Sequence, residues 1–473
     1  VSIVKEFIVP KHRVYFYSFF LLSISLLFGN QRVSVQIGIL WFLFFLLCLQ
    51  VLHQYTFQTE INLSKYECIL LFSLLYLVRF IFCFAPAFWE DDWARYLWEG
   101  NLILKNDSPY LRSPEFFFQN QTFPISPEEE SILSQINHPD WTSIYSPGIN
   151  LYFALLSFLS PLSFIVFKAS YLFFDLIICF LIWKVRGIWF ALSFAALPIL
   201  TKEVYLNGHF ELIGLTFFAM SLYWIREKPR AISFFCLGIA THCKLWFGIA
   251  LPFYLCFHSE HKDPKENIWK ILKLSIYFLL GYLSFFFLAE LFQLKGSALS
   301  IRNLILFTRE FQFNSIAVTL VKFCNLPNEN LILLLLVVFA ILAELYFYRK
   351  SSWEHLLQTL TRSFLLFFVL SPVVNAWYCL AFLPLFYFQK EIPRANQWIL
   401  FVWQCAYLTY QNLPYAQTGI SHGFYEVPTA VILIEYTIIL GIFFHFNDNK
   451  SILIDKTSNI LNKSKYERNQ GDR

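Results

Sequence analysis

Three consecutive carboxylates, Glu90, Asp91 and Asp92, lead into Trp93-Ala94-Arg95-Tyr96-Leu97-Trp98-Glu99-Gly100 directly after an apolar run. Ionisable side chains at a membrane edge lose hydration and shift their pKa, so several in a row call for a partner or a task. On a helix starting near Asp91, Asp92 shares a face with Arg95 at a spacing of three and with Tyr96 at four. A carboxylate held this way at the mouth of an apolar cavity suits a general base that deprotonates a hydroxyl while water is kept away. The plainer alternative is an interfacial acidic cap on a helix N-terminus.

Other polar islands interrupt apolar sequence further along. Glu203, Asn207, His209 and Glu211 fall together between two apolar stretches, a grouping that suits a polar ligand such as a sugar, although a lone intramembrane His more often packs or hydrogen-bonds. Lys244 is a single cation in an apolar setting; it either snorkels to the interface or holds a phosphate as a point charge. In Ser371-Pro372-Val373-Val374-Asn375-Ala376-Trp377-Tyr378 the proline breaks a helix and the aromatic pair can line a pocket or sit in an interfacial belt. Asn137-His138-Pro139 and Ile144-Tyr145-Ser146-Pro147 close the acidic loop and read as structural, with a lesser claim to touch substrate. The acidic pairs lack metal-ligand spacing, and the ten cysteines lie mostly in apolar runs as packing residues. No metal is expected.

The elements that must position these residues are membrane helices. Of 473 residues, 57% are hydrophobic and 14% charged, which excludes one soluble core. Apolar runs near the ~20 residues a span needs recur, for instance at 14–29, 33–52, 68–85, 271–292, 330–348 and 428–446. The expectation is an all-α polytopic membrane protein with roughly a dozen spans or half-spans. The first run lacks a small-residue cleavage site and reads as a retained helix. A net charge of +4 without a basic stripe offers nothing to nucleic acid.

Charge asymmetry orients the loops. The acidic loop 86–146 belongs outside; Arg226 to Arg230, the Lys262 to Lys273 region, Arg349-Lys350, Lys390 with Arg394, and the Lys-rich tail 447–473 read as cytoplasmic. Two apolar segments, 231–257 and 361–389, then have cytoplasmic loops at both ends and must go in and come back. Split at Cys243-Lys244 and Ser371-Pro372, they give half-helices of about 12 residues, roughly 18 Å long, tolerated only beside a protein-lined or watery cavity. Both turns point toward the acidic loop. Three apolar pieces within 147–201 break the parity, so one of them is not a full crossing. The chain divides into N-terminal helices 1–85, the outer loop 86–146, a transmembrane core 147–446 and the tail; 293–318, with Lys295, Arg302 and Arg309, reads as an interfacial helix.

In order along the chain, Asp92-Trp93-Ala94-Arg95-Tyr96 with Trp98-Glu99-Gly100, Pro109-Tyr110, Asn137-His138-Pro139, Ile144-Tyr145-Ser146-Pro147, Glu203 with Asn207-Gly208-His209, Lys244 with Pro252, Phe313-Asn314, and Ser371-Pro372 with Trp377-Tyr378 resemble a known set. The sequence resembles the GT-C-fold glycosyltransferases that use polyprenyl-phosphate sugars, in particular their bacterial mannosyltransferase-like branch, from about residue 85 to 436. The resemblance implies a bundle of roughly 11–13 transmembrane helices. It implies that a hexose, mannose favoured, moves with inversion from a polyprenyl-phosphate donor to a hydroxyl of a lipid, glycan or protein acceptor. The site would face the periplasm from a bacterial cytoplasmic membrane, and no cofactor is implied. The catalytic base falls on Asp92, with Asp91 as the fallback. Substrate contacts fall on Arg95, Tyr96, His138, Tyr145, Glu203, Asn207, His209, Lys244, Arg309, Asn314, Asn375, Trp377 and Tyr378. Two positions depart from the pattern: Asn375-Ala376 stands where the relatives have His-Pro, and Glu211 stands for Asp. Rival readings are a transporter or lipid flippase, which broken helices and buried charges also mark, and a noncatalytic subunit of a glycoconjugate assembly complex.

Overall fold

The computed structural model describes residues 10–28, 39–58, 60–87, 90–119, 124–227, 230–258, 264–348, 352–390, 394–412 and 429–441. The expected tail, 447–473, lies outside the described residues. These residues form helices and no strand; one isolated bridge joins Phe313 to Val373. A chain this apolar has few alternatives, because a backbone away from water must satisfy its own polar groups.

The first three helices, α1 (Pro10–Phe28), α2 (Ile39–Thr56) and α3 (Lys65–Cys83), precede the acidic loop. The loop folds into α4 (Asp92–Leu104), α5 (Pro114–Gln119) and α6 (Pro127–Leu133), and Ser126 and Glu129 close α6 with reciprocal cap hydrogen bonds. Then come α7 (Pro147–Leu159), α8 (Phe164–Arg186), α9 (Ile188–Ala195) and α10 (Pro198–Leu206), whose last turns widen to π geometry over Thr201–Leu206. The remainder comprises α11 (Glu211–Glu227), α12 (Arg230–Cys243), α13 (Leu245–His258), α14 (Pro264–Leu291), α15 (Leu299–Glu310), α16 (Ile316–Phe323), α17 (Glu329–Phe347), α18 (Trp353–Leu370), α19 (Ala376–Phe388), α20 (Arg394–Val402) and α21 (Thr429–Gly441).

Among the described residues four helices, α3, α8, α14 and α17, are long and apolar enough to cross a membrane; a fifth span exists if α9 and α10, bent by 47°, count as one. Seven further apolar helices are shorter. The 13-residue α7 is one of these, about 20 Å long at the helical rise. On α17 Leu331, Leu334, Phe339 and Leu342 are exposed and Leu333 alone is buried. Apolar surface this extensive needs lipid. The described helices are those of a chain compatible with an integral membrane protein.

The chain breaks twice in its second half. After α12 Lys244 is extended (φ −147°, ψ 116°), and the backbone restarts as a tight turn over Leu245–Ile249. After α18 it stays unwound through Asn375 and restarts in the same way over Ala376–Phe382. The polar groups freed at the second break find partners: Phe313 N–H donates to the Pro372 carbonyl at 3.1 Å, Val374 N–H to the Phe313 carbonyl at 2.9 Å, and Ser315 Oγ to the Ser371 carbonyl at 2.7 Å.

Buried charge ties α3 to the helices around it. Arg79 pairs with Asp175, both without solvent exposure, and the Tyr205 hydroxyl donates to Asp175 at 2.6 Å. Lys168 donates to the carbonyls of Phe82 at 3.0 Å and Ala85 at 2.5 Å, fixing the chain where it leaves α3 for the acidic loop. Against α14, α12 packs through facing glycines: a methyl added at Gly238 would strike the Phe278 carbonyl oxygen, and one at Gly281 the Phe235 carbonyl oxygen. Small residues permit this backbone approach. Gly238→Val is expected to destabilise the protein by about 1–3 kcal/mol or more, whereas Gly441→Ala, with nothing within 4 Å of an added methyl, is expected to be near neutral; thermal unfolding in detergent distinguishes them.

Candidate active site

The acid-bearing helix is anchored at its far end. At Gly100 an added methyl would strike the Phe153 carbonyl oxygen of α7, so α4 and α7 lie in backbone contact. Earlier on α4, Arg95 reaches into the loop, where Nη2 donates to the carbonyls of Asn137 (2.9 Å) and His138 (2.8 Å) and Nη1 to that of Trp141 (3.1 Å). Glu99 lies 3.4 Å from Arg95 and accepts from Ser143 Oγ at 2.6 Å, which in turn accepts from Asn150 Nδ2 at 2.9 Å. The returning strand of the loop therefore hangs on one buried guanidinium. Arg95, expected on the substrate, lines the cavity while donating to these three loop carbonyls.

That return brings Asn137 onto the acids, its Nδ2 donating to Asp91 Oδ1 at 2.7 Å. His138, at φ +47°, stacks on Trp141 at 4.6 Å and meets Phe311 edge-on at 5.5 Å. Tyr110 donates to the Tyr145 carbonyl at 2.9 Å, and the Tyr145 ring packs on Tyr96 at 5.5 Å and Phe210 at 5.4 Å.

These residues wall one side of a cavity of about 820 Å³. Asp91, Asp92 and Tyr145 face it from the loop, Lys244 and Trp246 from the first helix break, and Asn375, Trp377 and Tyr378 from the second. Helices α15 and α17 complete it with apolar side chains, among them Ile301, Ile305 and Leu334. Lys244 Nζ lies 2.8 Å from Glu211 Oε1 and above the rings of Phe210 (4.4 Å), Trp246 (5.2 Å) and Tyr378 (5.9 Å). Arg309 is exposed on α15 at the rim and makes no ion pair among the described residues.

Confinement shapes the acids' chemistry. Burial, and then the charge of Asp92, push Asp91 up to about 7; burial also raises Asp92, opposed by the positive charges of Lys244 and Arg95. The adjacent pair thus gives up its second proton near neutrality, as like charges side by side must. Glu99, raised by burial to about 7 against the pull of Arg95, belongs to the loop anchor.

Four expected site residues lie behind the wall. Glu203, Asn207 and His209 are fully buried on and after the π turn. Glu203 is 2.7 Å from Lys202 Nζ and accepts from Asn207 Nδ2 and Tyr407 OH at 3.1 Å each; His209 Nε2 is 3.6 Å away. Lys202 also donates to Gln404 at 3.2 Å. What reaches the cavity from this network is indirect: the His209 ring stacks at 3.9 Å on Trp377, which lines it. Asn314 donates to Glu435 at 3.1 Å, and its carbonyl accepts from Tyr436 OH at 2.8 Å; its neighbour Phe313 lines the cavity in its place.

Three acids outside the expected set of site residues also bear on it. Glu90 lines the cavity, more than nine-tenths buried, and its Oε1 meets no donor among the described residues. Glu211 is the counter-charge of Lys244. An acid in the first turn of an apolar helix needs a partner, but Lys202 and Arg226 lie nearer in sequence, so spacing alone did not single out Lys244. Glu435 sits in an apolar run of the last helix, and the loop residue it meets could not be guessed from spacing. Among the described residues no cluster of three or more His, Cys, Asp or Glu side chains is arranged to hold a metal.

The raised carboxyl of Asp91 has a consequence for stability. Its proton is held more tightly in the folded protein than at the ordinary value of 3.8, so its contribution is full below that pH and is lost as pH rises through about 7. The melting temperature of Asp91→Asn, relative to the unaltered protein, is therefore expected to be several degrees more favourable at pH 8 than at pH 5; an offset that does not change with pH would contradict this placement. Compared with known proteins, the chain matches no family model, no curated protein and no solved structure.

Proposed function

We propose that this protein is an inverting membrane glycosyltransferase that moves a hexose from a polyprenyl-phosphate donor to an acceptor hydroxyl on the outer face of a bacterial cytoplasmic membrane. One observation carries the reading: the carboxylates Asp91 and Asp92 and the cation Lys244 open onto a single cavity whose wall is mostly apolar. A reaction that joins a greasy phosphate carrier, a sugar and a hydroxyl nucleophile needs those three features together.

In this scheme Asp92 takes the proton of the acceptor hydroxyl as its oxygen bonds to the anomeric carbon. The bond from that carbon to the phosphate oxygen breaks, its electron pair leaves with the phosphate, and the configuration inverts. Polyprenyl phosphate, one negative charge richer than the donor's phosphodiester, meets the positive charge of Lys244, with Arg309 at the rim. Preorganised charge in a cavity that excludes water makes a general acid for the leaving group unnecessary. Asp91, with Asn137 on one oxygen, holds the second carboxyl of the pair and its proton at and below neutrality. Trp377 and Tyr378 offer flat faces to the sugar, and Asn375 an amide that hydrogen-bonds without titrating. Mannose is the favoured sugar; the acceptor is a lipid, a glycan or a protein. The GT-C resemblance and its bundle of roughly 11–13 helices belong to the same proposal.

Purified protein in liposomes, given labelled polyprenyl-phosphate mannose and candidate acceptors, is expected to form glycosylated product. Asp92→Asn should lower the rate about 10²–10⁴-fold, the usual worth of a positioned base, and Lys244→Met should weaken donor use. The rate should rise with pH as the Asp92 carboxyl, raised by burial, loses its proton. Movement of lipid or sugar across the bilayer without transfer, from any donor, would overturn the proposal in favour of a transporter; full turnover in Asp92→Asn with loss in Asp91→Asn would move the base by one residue.

A further inference from the structure

Among the described residues, the one lysine on the cavity wall is already spoken for. Lys244 Nζ is 2.8 Å from Glu211 Oε1, the lysine side chain 17% exposed and the glutamate 4%. Lys244 faces the cavity and Glu211 stands behind it. The aromatic rings of Phe210, Trp246 and Tyr378 surround the ammonium, so little water screens the pair and its charges act at full strength. Asp92 is near enough for Lys244 to be the strongest opposing charge on it. An anion arriving at Lys244 thus meets a cation shared between carboxylates.

Glu211 is also able to let go. Among the described residues no other side chain donates a hydrogen bond to its carboxylate, and it is the first residue of α11, where the partial positive charge of a helix N-terminus stabilises a carboxylate whether or not a lysine is present. A partner fastened by one ion pair, with a second favourable seat at its own helix end, can be exchanged; one locked by several donors, as Glu203 is, cannot.

We infer that Glu211 is the resident counter-charge of the anion subsite, occupying Lys244 until a lipid-linked phosphate displaces it and returning to expel the phosphate afterwards. The inference rests on the glycosyl-transfer reading for the identity of the anion. It explains how an apolar cavity with a buried lysine avoids trapping its own product: a bare lysine would hold the extra charge of the leaving polyprenyl phosphate, whereas competition from Glu211 lowers affinity for donor and product alike. Glu211 acts through Lys244 and is a positioning residue.

The test is equilibrium binding of polyprenyl phosphate to the full-length protein in nanodiscs, read by tryptophan fluorescence, with uncharged polyprenol as control. Glu211→Gln is expected to bind polyprenyl phosphate about tenfold tighter, equivalent to ~1.4 kcal/mol, with polyprenol binding unchanged. Multiple-turnover transfer should slow through product retention while single-turnover transfer holds. Glu211→Asp, which keeps the charge but withdraws it by one methylene, should shift affinity the same way by a smaller factor and serves if the glutamine variant does not fold. Unchanged or weaker binding in both variants would overturn the inference and leave the proposed function standing. Failure of the unaltered protein to bind polyprenyl phosphate better than polyprenol would instead overturn the phosphate subsite itself, and with it the proposed function.

Discussion

Too many acids and too few cations share one apolar interior, and the rest of the structure answers to that constraint. Glu90, Asp91, Asp92 and Glu211 all lie within or against a cavity whose wall offers one lysine, Lys244, while Arg95 is committed to the loop. Four unscreened negative charges could not coexist there. The protein removes some of that charge by keeping protons, as at Asp91, and balances some by pairing, as at Glu211. What survives is a site poised to exchange protons and anions near neutral pH, which is the chemistry proposed for it.

Holding those groups in place demands backbone where a membrane tolerates it least. Both helix breaks expose polar atoms, and each is repaired locally: Lys244 by the tight turn that follows it, residues 371–375 by the bridge to Phe313 and the hydroxyl of Ser315. The breaks place Lys244, Trp377 and Tyr378 opposite the acids, and close helix contacts at Gly100, Gly238 and Gly281 keep the distances fixed. The buried network around Glu203 serves the same end from behind, stiffening the support of Trp377 through the stacked ring of His209. Its fully satisfied glutamate contrasts with Glu211, held by one partner, and the contrast separates a structural acid from an exchangeable one.

Much of this was legible in the sequence where a single residue interrupts an apolar run. Lys244 and Pro372 each mark such an interruption, and helices do end beside them at Cys243 and Leu370. The acids at 90–92 stood out for the same reason. Pairings over long sequence separation were not legible. Arg79 with Asp175, Asn314 with Glu435 and Lys202 with Gln404 are chosen by helix packing, to which apolar periodicity is silent when helices are apolar all round. Glu203, Asn207 and His209 were correctly seen as a group, but composition could not say whether the group faced the cavity or the core behind it. Arg95 looked free beside Asp92 because the three carbonyls that claim it come from a loop folding back more than forty residues later.

The central claim is that the acids and the lysine serve one ligand at once. A structure of the protein bound to a non-transferable lipid-linked phosphosugar tests it most directly. The account predicts phosphate density at Lys244, in the place of the Glu211 carboxylate, the lipid chain along the apolar wall toward Ile301 and Leu334, and the anomeric carbon turned to Asp92. Phosphate bound away from Lys244, or a sugar out of reach of both Asp91 and Asp92, would contradict it.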